Sequence, residues 1–356
     1  MRVLVTGAEG YIGRRLVHML QERGHDITGL DTGYYSDRTF YADPSRTQVL
    51  RKDIRRVTTT DVSGSDAVVH LAELSNDPAG QFRPEVTYEI NHLGTVALAS
   101  LCKSARVSRF IYTSSCSVYG AGSDEARSEE SAVNPQTAYA RCKVLVERNL
   151  AAMADADFSP TFLRNATAYG PSPAMRFDIV LNNLAAWAWT ERRIVLNSDG
   201  GAWRPLVHVL GICEAIAAAL EAPRRVVHNQ IFNVGHNDEN YRVIEIAEIV
   251  ERIFPGCELV VGLPNSDRRS YRVNFDKIAA TLPGFQCRRN ATIGARELKE
   301  IFEQIGLSAE IFNAPTFTRL RQLERLVDDK RLDARFHWIG DDSCAAHAAA
   351  AVGDLV

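Results

Sequence analysis

Hydrophobic and polar positions along this chain follow a strand-then-helix rhythm. Arg2–Thr6 reads RVLVT, a β-branched run suited to a buried strand. A helical pattern follows, with Ile12, Leu16 and Leu20 on one face and Gly24 as its C-terminal stop. A second strand is expected over Asp26–Asp31, and another buried strand over residues 110–113, FIYT. A helix is expected to begin around Tyr139 and continue through Leu145 and Val146. The alternation runs to about Gly170, as a doubly wound parallel sheet requires. Pro171-Ser172-Pro173 then marks the entry to a second lobe. Residues 241–254 predict an amphipathic helix with Ile244, Ala247, Ile249 and Val250 inside. Residues 318–332 predict another, through Leu320, Leu323, Leu326 and Val327, with packing as its expected use.

Candidate chemistry sits at the junctions. Gly7, Gly10 and Gly13 lie between the first strand and the first helix. Such a turn needs a residue tolerant of positive φ, a backbone that approaches a pyrophosphate, and close helix–sheet packing. The helix N-terminus offers free N–H groups to phosphates. Asp31 ends the second strand, where a carboxylate accepts hydrogen bonds from ribose hydroxyls and repels a 2′-phosphate; this favours NAD over NADP. The 110–113 strand leads into Ser114-Ser115-Cys116-Ser117. Tyr139 and Lys143, four apart, share a helix face. An ammonium beside a phenol favours the phenolate, and the Ser115 hydroxyl can share the substrate oxygen. Together they form an acid/base able to take an alcohol proton as hydride leaves the same carbon.

The Gly-x-x-Gly-x-x-Gly spacing, Ser115 and Tyr139-x-x-x-Lys143 resemble the short-chain dehydrogenase/reductase superfamily, and the length of 356 residues its extended, nucleotide-sugar-modifying branch. That resemblance implies a Rossmann-type α/β fold with a smaller C-terminal substrate-binding lobe. Residues 1–170 would bind NAD, 207–235 return to that domain, and 171–340 form the substrate lobe. Tyr139 would be the general base, Lys143 its partner and ribose anchor, and Ser115 the hydroxyl donor. Cofactor contacts would come from Gly7, Gly10, Tyr11, Ile12, Gly13 and Asp31, from Asp53 and Ile54 at the adenine, from Leu71 and Ala72, and from the helix residue Asn91. His70 is expected as a core histidine without chemistry. On the substrate side, Arg204 to Val209 resembles the family's Arg-x-x-x-His-Val segment, which implies that Arg204 pairs with a diphosphate. Asp267-Arg268-Arg269 resembles a second diphosphate-binding segment, with Arg268 a candidate, and Asn182 would face the nucleotide. The implied partners are a nucleotide-diphosphate sugar and a second copy of the chain, docked through helices near residues 91–105 and 139–153.

Departures from the family pattern narrow the chemistry. Thr167 stands where Asn is usual, although Asn165, two residues away, shares its strand face. Glu73 replaces a usual Ala or Gly; an extra acid, a sugar-hydroxyl acceptor and a rim residue are all open, the last slightly ahead. Cys116 and Ser117 replace the Asp-Glu pair of the 4,6-dehydratases, which disfavours ordinary dehydration and fits a 4-epimerase. Cys116 is expected as a packed small residue rather than a thiol acid/base. The leading expectation is therefore an NAD-dependent nucleotide-sugar epimerase acting at C4. A dehydratase or ketosugar reductase of the same family, or a non-catalytic nucleotide-binding protein, are the alternatives.

Composition sets the outer bounds. A chain of 356 residues suits one large or two small domains. A net charge of −3 without a basic stripe argues against nucleic acid. No run of 18 apolar residues suggests a membrane span. The strand beginning at residue 2 leaves no room for a signal peptide. Seven Cys without a Cys-x-x-Cys pair read as reduced thiols in the cytoplasm, not as disulfides or a metal site. Residues 341–356 are expected to form a loose tail.

Overall fold

The computed structural model describes residues 1–36, 39–45, 47–121, 125–263 and 270–340. The expected tail, 341–356, and Arg268 lie outside the described residues.

Seven parallel strands form the central sheet. Their spatial order is Gln48–Arg51, Asp26–Asp31, Arg2–Thr6, Ala67–His70, Arg109–Ser115, Ser159–Asn165 and Gln230–Val234. The chain builds outward from Arg2–Thr6 in one direction and then, from Ala67–His70, in the other. The doubly wound sheet expected from the sequence is thus present, with its topological switch between those two strands. Ligands bind at such a switch, beyond the carboxyl ends of the strands. Register brings Thr6 beside His70 and Ser115 beside Asn165, so candidate residues gather at that edge.

Alternation along the strands divides the core. Val3 and Val5 face the helices Tyr11–Glu22 and Val209–Glu221 through Leu16, Leu20, Ile212 and Ile216. Leu4 faces the opposite layer, with Leu30, Val68, Leu98 and Phe110. Ala67–His70 is buried at every position, as a parallel strand covered on both faces must be. A separate core joins the helices Val180–Thr190, Val243–Ile253 and Ala291–Ile305. Beside it lies a small sheet of Asn240–Arg242, Trp203–His208 and Thr167–Tyr169.

His70 is a tie within the core. Its Nδ1 lies 2.6 Å from Thr6 Oγ1 and its Nε2 2.7 Å from Thr95 Oγ1. The Thr95 hydroxyl donates to the Asn91 carbonyl, so it accepts from Nε2–H; this sets the tautomer, and Nδ1 accepts from Thr6. Burial, with Lys143 nearby, pushes the His70 pKa down to about 3, which keeps the ring neutral.

Two expected helices have different bounds. The one expected from residue 241 starts at Val243, because Tyr241 pairs with Arg204 in the small sheet. Glu245 then caps it by accepting from the Arg242 amide at 2.6 Å, and Ile246 rather than the half-buried Ile244 is fully inside. The last helix is Arg319–Asp328. Its Leu323 and Leu326 pack into the first-lobe layer that contains Leu30, Tyr34 and Ile54. Gln322 Nε2 donates to the Tyr34 carbonyl and Trp338 Nε1 to the Thr32 carbonyl, both at 2.8 Å. The C-terminal segment therefore runs back across the loop that follows Asp31. Among the described residues, no helix is long and apolar enough to cross a membrane.

Candidate active site

A cavity of about 770 Å³ opens at the topological switch. Its floor is the glycine turn. Gly7 has φ +73°, and a Cβ there would lie 2.8 Å from the Ala72 nitrogen and the Leu71 carbonyl carbon. A Cβ on Gly13 would lie 2.1 Å from the Gly7 oxygen. Only bare backbone fits at these two crossings, and the cradle so formed faces the cavity through Gly7, Gly10, Tyr11, Ile12 and Gly13.

Asp31 stands at one end of this cradle. Its Oδ2 accepts from the Glu9 amide at 3.0 Å and its Oδ1 from the Gly33 amide at 2.8 Å. Burial raises its pKa, and the amide donors oppose that rise. Each oxygen keeps a further lone pair, so the carboxylate can receive a ribose diol. Asp53 lines the cavity with its carboxylate held by Arg55, 2.8 Å from the Arg55 amide. Ile54, Leu71 and Ala72 supply apolar wall. The glycine cradle and the half-buried acceptor fit a dinucleotide with free ribose hydroxyls.

The catalytic candidates meet at the other end. Thr137 caps the helix Ala138–Met153 by accepting from the Ala140 amide at 3.2 Å. Tyr139 thus sits in the first turn, where the helix dipole favours a phenolate, and Lys143 lies one turn later. Ser115 ends its strand and accepts from the Ser117 amide at 3.2 Å, which leaves its own proton to donate. Burial holds the Tyr139 pKa above its ordinary value; Lys143 and Ser115 pull it down, while Glu73 pushes it up. The Lys143 ammonium is 5.3 Å from the Tyr139 ring centre.

Glu73 corrects the rim-residue expectation. Its side chain is 3% exposed, as is that of Lys143, and the two form an ion pair. Its other oxygen accepts from the Tyr112 hydroxyl at 2.7 Å. Lys143 also donates to the Thr113 carbonyl. Burial opposes the Lys143 charge, but Glu73 and Tyr139 outweigh it and hold the pKa above its usual value. Each Glu73 oxygen has one partner within the protein, and through them the carboxylate, which lines the cavity, orients Lys143 and tempers its pull on Tyr139. Glu73→Gln removes a negative charge that raises the Tyr139 pKa. The acid limb of the kcat–pH profile should therefore move to lower pH. An unmoved limb would show that Glu73 does not act on Tyr139.

Cys116 is buried, with its thiol directed to the Arg164 carbonyl at 3.1 Å and its pKa pushed up by burial. It is a packed residue. Arg164 is buried too, in an ion pair with Glu147 at 2.7 Å that braces the strand end through Ser114.

The sequence and the fold have counterparts among known proteins. The model of the NAD dependent epimerase/dehydratase family matches residues 3–235. The chain belongs to that family. A UDP-glucose 4-epimerase of Corynebacterium glutamicum is 27% identical over 281 residues, covering 74% of this chain and 82% of the relative. UDP-glucuronic acid decarboxylase 1 of Arabidopsis thaliana is 25% identical, covering 75% of this chain and 61% of the relative. The structure of MoeE5 in complex with UDP-glucuronic acid and NAD superposes with a TM-score of 0.74 at 26% identity, covering 85% of this chain and 99% of the other. The NAD-dependent hexosamine 5,6-dehydratase TunA shares the fold, with a TM-score of 0.76 at 22% identity, over 85% of this chain and 98% of the other. The family thus holds several reactions on one scaffold.

Against the family pattern, the remaining candidates divide. Asn165 and Arg204 line the cavity. Asn165 Oδ1 and Ser117 Oγ are buried without a hydrogen-bond partner and also line it, as acceptors for substrate hydroxyls would. Asn91 does not reach the cavity. Its amide accepts from the Leu74 nitrogen at 2.9 Å and donates to the Leu74 carbonyl at 3.1 Å, which fixes the loop after His70. Asn182 is likewise turned inward, accepting from the Gly170 amide at 2.9 Å and donating to the Tyr11 hydroxyl at 3.2 Å. Its neighbour Asn183 lines the cavity instead. Arg176, Asp178, Asn76, Tyr35 and Arg319 also line the cavity and were missed, because they come from distant segments and form no spaced motif. Among the described residues, no cluster of His, Cys, Asp or Glu is arranged to hold a metal ion.

Proposed function

We propose that this protein is a nucleotide-sugar epimerase that inverts C4 through a transient 4-keto sugar. One observation carries this choice within the family. The strand end after Ser115 offers Cys116 and Ser117 in place of acids, and the one carboxylate beside Lys143, Glu73, is already paired. Asp77, farther along the wall, accepts from the Thr137 hydroxyl at 2.5 Å. Elimination of water needs an acid for the leaving hydroxyl; proton removal at C4 needs only Tyr139.

In this reading Arg204 pairs with the substrate diphosphate, and Asn165 and Ser117 receive sugar hydroxyls. Ser115 donates to the C4 oxygen while Tyr139, as phenolate, takes its proton. Lys143 stabilises that phenolate and offers a further N–H to the nicotinamide ribose. The glycine turn and Asp31 would hold NAD, which when bound would supply a hydride acceptor for C4. Tyr139 returns the proton once the keto sugar has presented its other face. No net oxidation occurs, so NAD is not consumed and no reductant is needed. The test is a screen of sugar nucleotides with the purified protein and no added NAD(P)H. Interconversion of a C4 epimer pair is the expected result. Turnover that depends on added reductant would instead make the protein a ketosugar reductase.

A further inference from the structure

Arg319 is a buried cation that the catalytic reading leaves unused. It opens the last helix, is 4% exposed, and lines the cavity. Its guanidinium lies 3.8 Å from the Tyr35 ring centre. Among the described residues it forms no ion pair. The nearby carboxylate is Asp178, which receives the Arg319 backbone amide at 3.2 Å. Asp178 spends its charge on Arg176, through two N–H bonds of 2.9 and 3.1 Å, and also accepts from Asn76 at 2.6 Å. Two guanidiniums therefore share one carboxylate. Burial and the adjacent Arg176 push the Arg319 pKa down to about 10. A buried cation with an aromatic ring but no anion beside it is costly, and an anion in the cavity would reduce that cost.

The position of the pair indicates which anion. Arg176 is tied to the glycine turn by Asn182, whose Nδ2 donates both to the Tyr11 hydroxyl at 3.2 Å and to the Arg176 carbonyl at 3.0 Å. Arg176 also donates to Ser75 Oγ at 3.3 Å, on the loop that follows Ala72. Arg319 lines the same cavity as Asp31. Both cations thus line the same cavity as Asp31 and the glycine turn Gly10–Gly13, with Arg176 joined to the loop after Ala72.

We infer that Arg319, with Arg176, binds the diphosphate of the dinucleotide cofactor. The inference rests on the reading of this cavity as the dinucleotide site and adds a clamp from outside the glycine turn. The helix N-terminus meets the phosphates with backbone N–H groups, and Arg319 meets them with a fork of charged donors. Arg319 lies well beyond the matched residues 3–235. The C-terminal segment thereby serves the cofactor rather than packing alone. A cofactor returned to its starting state each turnover gains from being held in this way.

The test uses the full chain freed of bound nucleotide and titrated calorimetrically with ADP-ribose and, separately, with UDP. Arg319→Gln should weaken ADP-ribose binding about tenfold or more and leave UDP binding unchanged. Arg319→Met, which keeps the length and apolar stem of the side chain, serves if the Gln variant does not fold. Unchanged ADP-ribose affinity in a folded variant overturns the inference and leaves Arg319 a structural residue. Loss of UDP affinity alone also overturns it, by assigning the pair to the substrate diphosphate. A wild-type protein that binds no ADP-ribose removes the dinucleotide reading beneath it as well.

Discussion

Tyr139→Phe should leave a folded protein that keeps its cofactor and turns over every accepted sugar nucleotide about a thousandfold more slowly. The hydroxyl is the only atom removed, and the ring stays packed in the first turn of a helix capped by Thr137. Its loss removes the group that accepts the C4 proton. No neighbour can take over without rearrangement: Ser115 is a donor, Lys143 is a cation paired with Glu73, and Glu73 is bonded at both oxygens. Binding should change little, so the effect belongs in kcat. The comparison is kcat for wild type and variant at saturating substrate, with nucleotide content measured on both. A variant rate within tenfold of wild type would remove Tyr139 from the chemistry.

Gly13→Ala should weaken ADP-ribose binding by about tenfold or more and lower Tm by several degrees. The added Cβ would lie 2.1 Å from the Gly7 oxygen and 2.7 Å from both the carbonyl carbon and the oxygen of Ala8. All three are backbone atoms of the turn itself, so the cradle must open to admit the methyl group. Gly10 makes the contrast within the same motif. A Cβ there meets the Gly7 oxygen at 3.2 Å, a gap that a few tenths of an ångström relieves. Gly10→Ala should accordingly be the milder change in a paired measurement of melting and ADP-ribose affinity. Equal, wild-type-like behaviour of the two variants would contradict the assigned geometry.

These two sites were legible in the sequence because their geometry is local. A β-strand feeding a glycine turn and a helix fixes the cradle within about a dozen residues, and a four-residue helical spacing places Lys143 beside Tyr139. Ser115 followed from the end of a short apolar strand. The errors came where rotation or distance decides. Asn182 and Asn183 differ by about 100° around a helix that is apolar on most sides, so periodicity could not say which one faces the cavity. Asn91 shared the same ambiguity and turned to the Leu74 backbone. The Glu73–Lys143 pair was closer to reach, because Ala72 and Lys143 had each been placed along the cofactor. A carboxylate next to one should have met the ammonium of the other. Arg319 was out of reach. Its helix showed its apolar stripe, but nothing in that stripe tells that Leu323 and Leu326 dock on the first lobe rather than the second.

The most direct test of C4 epimerisation follows the hydride itself. Sugar nucleotides bearing deuterium at C4 would be incubated with the purified protein without added cofactor, and the products examined by NMR and mass spectrometry. Retention of the deuterium at C4 of the inverted sugar, at unchanged mass, is the expected result. Deuterium found at C6 of a product lighter by one water, or transferred to free nicotinamide nucleotide, would contradict it.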